Sequence, residues 1–173
     1  MKTELIPAVN PGDHSIGDAD AAIEIVEYGD FECPDCGNVN QLIKQIRQEF
    51  GSQIRFIFRN FPLTEIHPYA MPVALVAEAA GLQNKYWEMH NLIFQHQGEL
   101  NDALFEQLAN KIGLNVVKFE HDLQTTTLQD KVSTDFESGL RSGVNGTPTF
   151  FVNGQKFDGG VFNLLEILRE NTN

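Results

Sequence analysis

The hydrophobic periodicity predicts an α/β domain split by an all-helical insertion. It rests on two observations. Short β-branched and aromatic runs occur only near the two ends of the chain, at Ile23–Tyr28, Ile54–Phe61 and Thr149–Val152. Between them, from His67 to about Ser142, nearly every apolar residue recurs at helical spacing. The order is β-α-β, a helical block, then β-β-α. A chain of 173 residues accommodates one domain carrying such an insertion.

Residues 1–20 are polar, with Pro7, Pro11, Gly12 and Gly17, and read as an extended lead-in. Ile23–Tyr28 reads as a central strand ended by Gly29 and Asp30. Cys33-Pro34-Asp35-Cys36 follows. Val39, Leu42, Ile43, Ile46 and Phe50 then mark one face of a helix over Pro34–Phe50. Pro34 suits a first turn and Gly51 a C-terminal stop. Ile54–Phe61 is a second strand, parallel to the first through a right-handed crossover. Helices are expected at Ala70–Ala80, Tyr86–Phe94, Asp102–Ile112, Val116–Leu123 and Leu128–Leu140, punctuated by Gly81, Gly98 and Gly113. Asn153-Gly154 signals a hairpin between Thr149–Val152 and Gln155–Phe157. Val161–Arg169 closes as an amphipathic helix.

Twelve Lys and Arg against 24 Asp and Glu give a formal charge of −12. Such a surface repels phosphates and anionic headgroups, which disfavours nucleic acid and membrane surfaces as partners. Met1–Asp20 lacks the apolar run of a secretory signal, and no stretch reaches transmembrane length. The expectation is a cytoplasmic protein without membrane insertion, or an exported one if a leader has been removed. With only two cysteines, three positions apart, the chain is not a disulfide-stapled scaffold.

Cys-x-x-Cys at a helix N-terminus has a direct chemical logic. First-turn amides and the helix dipole favour a thiolate on Cys33, and Cys36, one turn on, is placed to resolve a mixed disulfide. The rival reading, half of a zinc site, lacks ligands. There is no second Cys pair, and His14, His67, His90, His96 and His121 form no short metal-binding pair. No metal is expected, and no cofactor beyond the redox-active Cys33–Cys36 disulfide. Two inert core cysteines remain the other alternative. In Gly143–Val152, Pro148 opens a strand with Thr147 before it, a candidate cis bond.

The Cys motif and the Thr147-Pro148 loop together resemble the thioredoxin superfamily. More narrowly, Glu27-Tyr28-Gly29-Asp30-Phe31-Glu32-Cys33-Pro34, His67-Pro68, Tyr86-Trp87-Glu88-Met89-His90 and Gly146-Thr147-Pro148-Thr149-Phe150-Phe151 resemble the DsbA family of disulfide oxidoreductases. The similarity is greatest to the bacterial subgroup also found fused to sodium/proton antiporters. It implies a thioredoxin-like fold with an inserted all-helical subdomain. A single domain would span 1–173, with a thioredoxin-like part at 20–62 and 143–173 and the insertion at 63–142. It implies thiol–disulfide exchange with protein thiols and disulfides, with glutathione or a thioredoxin-type reductant as electron source. A redox-sensing or partner-binding domain without turnover is the alternative. Pro148 would lie beside the disulfide, with Thr147 pairing to the substrate backbone.

The resemblance also makes Glu27 a carboxyl buried beneath the disulfide that takes the proton of Cys36. A strand-edge glutamate in water is the other reading. The family's periplasmic oxidase has Pro-His between its cysteines, where this chain has Pro34-Asp35. That carboxylate, beside Cys33, favours a reductase or isomerase over an oxidase. Glu24 is expected facing solvent or salt-bridged, and Arg55 and Arg59 at the surface, with the pairing of one of them to an acidic group as the other reading. His67, Trp87, His90, Met71 and Met89 are expected as packing residues.

Overall fold

The computed structural model describes residues 3–171. Met1, Lys2, Thr172 and Asn173, the ends of the expected 1–173 domain, lie outside them. Five strands form one sheet: β1 (His14–Gly17), β2 (Ile23–Gly29), β3 (Ile54–Asn60), β4 (Thr149–Val152) and β5 (Gln155–Phe157). The spatial order is β1-β3-β2-β4-β5, so β2, which leads into the cysteines, is the middle strand. β2 and β3 run parallel, joined by α1 (Pro34–Phe50). The other pairings are antiparallel. Five helices stand between β3 and β4: α2 (Ala70–Gly81), α3 (Tyr86–Gln95), α4 (Asp102–Lys111), α5 (Val116–Leu123) and α6 (Thr126–Arg141). α7 (Val161–Asn171) follows the hairpin.

Strand alternation divides the core. Ile25, Phe56, Phe58 and Phe150 face α1, α7 and the inserted helices in the larger cluster. Val26, Tyr28, Ile57 and Phe151 face the opposite way and pack with Leu5, Phe61 and Val144. Asn101 and Asn115 cap α4 and α5 with side-chain oxygens that accept from Leu104 and Lys118 amides at 3.0 and 2.9 Å. At the hairpin, Asn153 and Gly154 adopt φ of 47° and 76°, the left-handed pair that a two-residue turn requires.

Two expectations are corrected. The lead-in is not merely extended: His14–Gly17 pairs antiparallel with β3 as an edge strand. Four residues ending in glycine are too short to show a strand period. Arg59 is not at the surface; it is 1% exposed. Alternation on β3 sends it to the same face as Ile57, and the lead-in crosses over it. All five of its N–H groups are used. Nε and Nη2 donate to the two Asp13 carboxylate oxygens at 2.8 Å each. Nη1 donates to Pro7 O at 3.0 Å and Tyr28 Oη at 2.9 Å, and Nη2 to Ala8 O at 3.2 Å. Arg59 therefore pins the lead-in across the sheet. Arg55 and Glu24 do meet at the half-exposed surface, 3.7 Å apart.

Candidate active site

β2 delivers the chain to a tight turn, Asp30–Glu32, from which α1 begins. Cys33 occupies the N-cap with extended backbone (φ −70°, ψ 121°), and Pro34 sits in the first turn, where its missing N–H costs nothing. Asp30 organises this turn. Its backbone oxygen accepts from Cys33 N at 3.1 Å. Its buried carboxylate accepts from Glu32 N at 2.8 Å, Leu63 N at 2.9 Å and His67 Nδ1 at 2.8 Å. Glu32 in turn accepts from Tyr69 N at 2.7 Å. His67 is thus more than packing. Burial pulls its pKa down, but the Asp30 bond and the charges of Asp30, Glu32 and Cys33 outweigh this and raise it.

The two sulfurs differ sharply. Cys33 is 7% exposed and Cys36 is fully buried; both thiols are free. A hydrogen bond from the Cys36 thiol is the main force bringing the Cys33 pKa down to about 5, against the opposing effect of burial. A hydrogen bond from the Thr147 side chain adds to it, and then the amides of Cys36 and Asp35, as a helix N-terminus should. Cys36 is pushed far up by the same hydrogen bond between the two sulfurs, then by burial and the Glu27 charge. Asp35 is exposed between them.

Glu27 sits on the face of β2 that carries Ile25, opposite Phe58 on β3 and Phe150 on β4. It is 2% exposed, which removes the solvated-edge reading. Burial, then the Cys33 charge, pushes its pKa up to about 8, and Oε1 has no hydrogen-bond partner. An unfolded glutamate titrates near pH ~4.3. Folded Glu27 therefore holds its proton between that value and about 8, so its stabilising effect is full below pH ~4 and declines as pH rises through about 8. Glu27→Gln should abolish this decline. Denaturant titration of the reduced protein at pH 8 should show a gain of roughly 2–4 kcal/mol, vanishing near pH 4.

The Thr147–Pro148 bond is cis, and Thr147 O lies 3.6 Å from Cys33 Sγ. Pro148, Asp35, Asn38, Val39, Val161 and Phe162 line an open cavity of about 300 Å³ beside the cysteines. Phe162 is 68% exposed there. The structure thus brings Cys33, Cys36, Pro34, Asp35, Glu27, Thr147 and Pro148 together at one end of β2. Among the described residues, no three His, Cys, Asp or Glu side chains gather as a metal site.

His90 is buried in a ring of Phe31, Phe58, Phe94 and Trp87 and is kept neutral, its pKa brought down to about 3 by burial. Met89 is fully buried and Met71 and Trp87 partly so. Sequence reasoning passed over Asp30, Glu32 and Gln97. Gln97 Nε2 donates to Phe31 O at 2.8 Å and to Cys33 O at 2.7 Å, and nothing in its surroundings in the sequence marks it.

Comparison with known proteins agrees with this geometry. Residues 9–162 match the family model described as thioredoxin. The chain belongs to the thioredoxin superfamily. Its α/β fold, with helices set between the strands, is shared with solved DsbA-type structures. Oxidised BdbD from Bacillus subtilis superposes with a TM-score of 0.83 at 22% identity, over 98% of this chain and 95% of that one. The thiol-disulfide exchange protein alpha-DsbA2 from Wolbachia pipientis gives 0.81 at 20% identity, over 94% and 89%. In sequence, the chain is 40% identical over 155 residues to the Na(+)/H(+) antiporter NhaA 1 of Salinispora arenicola, covering 90% of this chain and 24% of that protein. The NhaA antiporter of Herminiimonas arsenicoxydans is 34% identical over 97% of this chain and 28% of its own length. The chain thus spans about a quarter of the length of these relatives. Among the described residues no helix is long and apolar enough to cross a membrane.

Proposed function

We propose that the protein exchanges disulfides with protein thiols through Cys33 and Cys36, in a DsbA-type thioredoxin fold that supports thiol–disulfide oxidoreductase chemistry in general. The observation that carries this is the asymmetry of the sulfurs: one at the N-cap of α1, ionised above about pH 5, the other fully buried and held as thiol. The Cys33 thiolate attacks a substrate disulfide, forms a mixed disulfide and releases one substrate thiolate. In the mixed disulfide Cys33 carries no charge, so one of the two causes that keep Glu27 protonated is gone. Glu27 releases its proton to solvent, its carboxylate takes the proton of Cys36, and Cys36 attacks Cys33 Sγ. The second substrate thiolate leaves, the substrate has gained two electrons, and Cys33–Cys36 is a disulfide. The reverse sequence oxidises a dithiol. Thr147 O, already aimed at Cys33 Sγ, marks where substrate backbone would lie. An external reductant, two glutathione molecules or the dithiol of a thioredoxin-type protein, would reset the pair and leave as a disulfide. Reduction of a disulfide-bonded protein by dithiothreitol tests the reading. Multiple turnovers support it; redox-dependent binding of a partner with no turnover would favour a sensing domain.

The direction we propose is reductase or isomerase. Asp35 is exposed, so its repulsion of the Cys33 thiolate is screened and the helix N-terminus prevails, yet it leaves the reduced form less stabilised than a cationic residue would. Asp35→His should lower the Cys33 pKa and raise the reduction potential by roughly 30 mV, read against a glutathione buffer. An unchanged or lowered potential would show that the dipeptide does not set the poise.

A further inference from the structure

Gln97 lies on the 3₁₀ turn Gln97–Glu99 between α3 and α4, 64 positions from Cys33 in sequence. Its amide nitrogen has two hydrogens and spends both on the cysteine turn, on Phe31 O at 2.8 Å and Cys33 O at 2.7 Å. Cys33 O is also the acceptor of the first helical bond, from Gly37 N at 3.2 Å. The carbonyl that opens α1 is therefore shared between the helix and a side chain from the inserted helical segment. The 3₁₀ turn is itself tied down: Glu99 N donates to His96 O at 2.9 Å, His96 Nδ1 bonds Glu99 Oε2 at 3.1 Å, and Asn101 Nδ2 donates to Glu99 O at 2.9 Å.

Gly37 supplies an independent observation. Glycine inside a helix is less favourable than alanine, because it loses more backbone freedom on folding. Here a β-carbon would press into Gln97 Oε1 and come within 3.1 Å of its Cδ. The helix gives up propensity at the one position where a methyl group would displace Gln97.

We propose that Gln97 is a positioning residue: it fixes where the Cys33 carbonyl points, and so keeps the Asp35 and Cys36 amides aimed at the Cys33 sulfur. This deepens the reading of Cys33 as nucleophile and rests on it. The Cys33 carbonyl belongs to the Cys33–Pro34 peptide plane, which has no N–H, but the fixed φ of Pro34 carries its direction into the next two planes, which hold the Asp35 and Cys36 N–H groups. Thiolate stabilisation by amides depends steeply on their orientation. Two donors on Cys33 O also draw off negative charge close to the sulfur. A glutamate at the same place could not donate and would set its own charge against two carbonyls.

The test is ultraviolet titration of the Cys33 thiolate in the reduced protein, with thermal unfolding in parallel, for Gln97→Ala, Gln97→Glu, Gly37→Ala and the Gly37→Ala/Gln97→Ala double variant. Losing the clamp is worth about one pH unit in the midpoint, since a net hydrogen bond is worth about one pKa unit in energy. Gln97→Ala and Gly37→Ala should each raise the midpoint by that amount, and the double variant no further than either. Gln97→Glu should raise it more. Gly37→Ala should do so without lowering the unfolding temperature, because the helix gains alanine; a merely structural role would not split the two readouts in this way. An unmoved midpoint in Gln97→Ala, or additive effects in the double variant, would overturn the role of Gln97. A wild-type midpoint in the free-thiol range would instead overturn the proposed function.

Discussion

Cys36→Ser should turn the protein into a trap, accumulating mixed disulfides on Cys33, while Cys33→Ser should accumulate none. The geometry makes the difference one of kind. Cys33 lies at the mouth of the turn, its pKa near 5, beside Thr147 O and the open cavity along Pro148. Cys36 is fully buried and its thiol holds its proton. Serine at 36 removes the group that finishes the reaction, so release depends on a free thiol from solution. Attack within one molecule is favoured over attack from solution by many orders of magnitude, so turnover should fall by at least about a thousandfold. The first attack by Cys33 should slow far less, by the loss of one thiol donor. Mass spectrometry after exposure to glutathione disulfide reads the adducts directly. Equal adducts on both variants would end the division of labour between the sulfurs.

Arg59→Ala should cost about 3–5 kcal/mol of stability, the range for breaking a buried ion pair from one side. The loss is not of one contact. Asp13, 4% exposed at its side chain, would keep a charge with no cation beside it, and Pro7 O, Ala8 O and Tyr28 Oη would lose donors. Leu5, packed on Val26 and Phe151, would lose the anchor that draws the lead-in across the sheet. Urea unfolding measures the loss, and Arg59→Met with Asp13→Leu separates its causes. That pair removes both charges and keeps apolar volume, so it should recover much of the stability. A single variant that unfolds like the wild type would show that the lead-in is held by packing alone.

The contrast between Glu27 and Arg59 shows what the sequence can and cannot tell. Both are charged residues inside β-branched runs, and both are buried. Glu27 belongs to a motif six residues before Cys33, so its burial could be weighed against a solvated edge. Arg59 has its partner 46 positions away in a lead-in with no period, and nothing local announces the pair. The helices were legible because each carries its own apolar stripe; α1 and α5 have the bounds their periodicity predicts. β1 was not, because its strand character comes from register with β3 rather than from its four residues. The cysteine motif and Pro148 were legible as chemistry, while Asp30, His67 and Gln97 act through contacts that span the inserted helices. Side chains that hold a site from a distance leave no periodic trace.

The pH dependence of alkylation of the reduced protein tests the central claim most directly. The sulfur geometry predicts a single adduct, mapped by mass spectrometry to Cys33, with a rate that rises through a midpoint of about 5 and is flat by neutrality. Cys36 should stay unlabelled throughout while the protein is folded. Labelling that begins only in the range of a free thiol, about pH 8.5, or that falls equally on both cysteines, would contradict it.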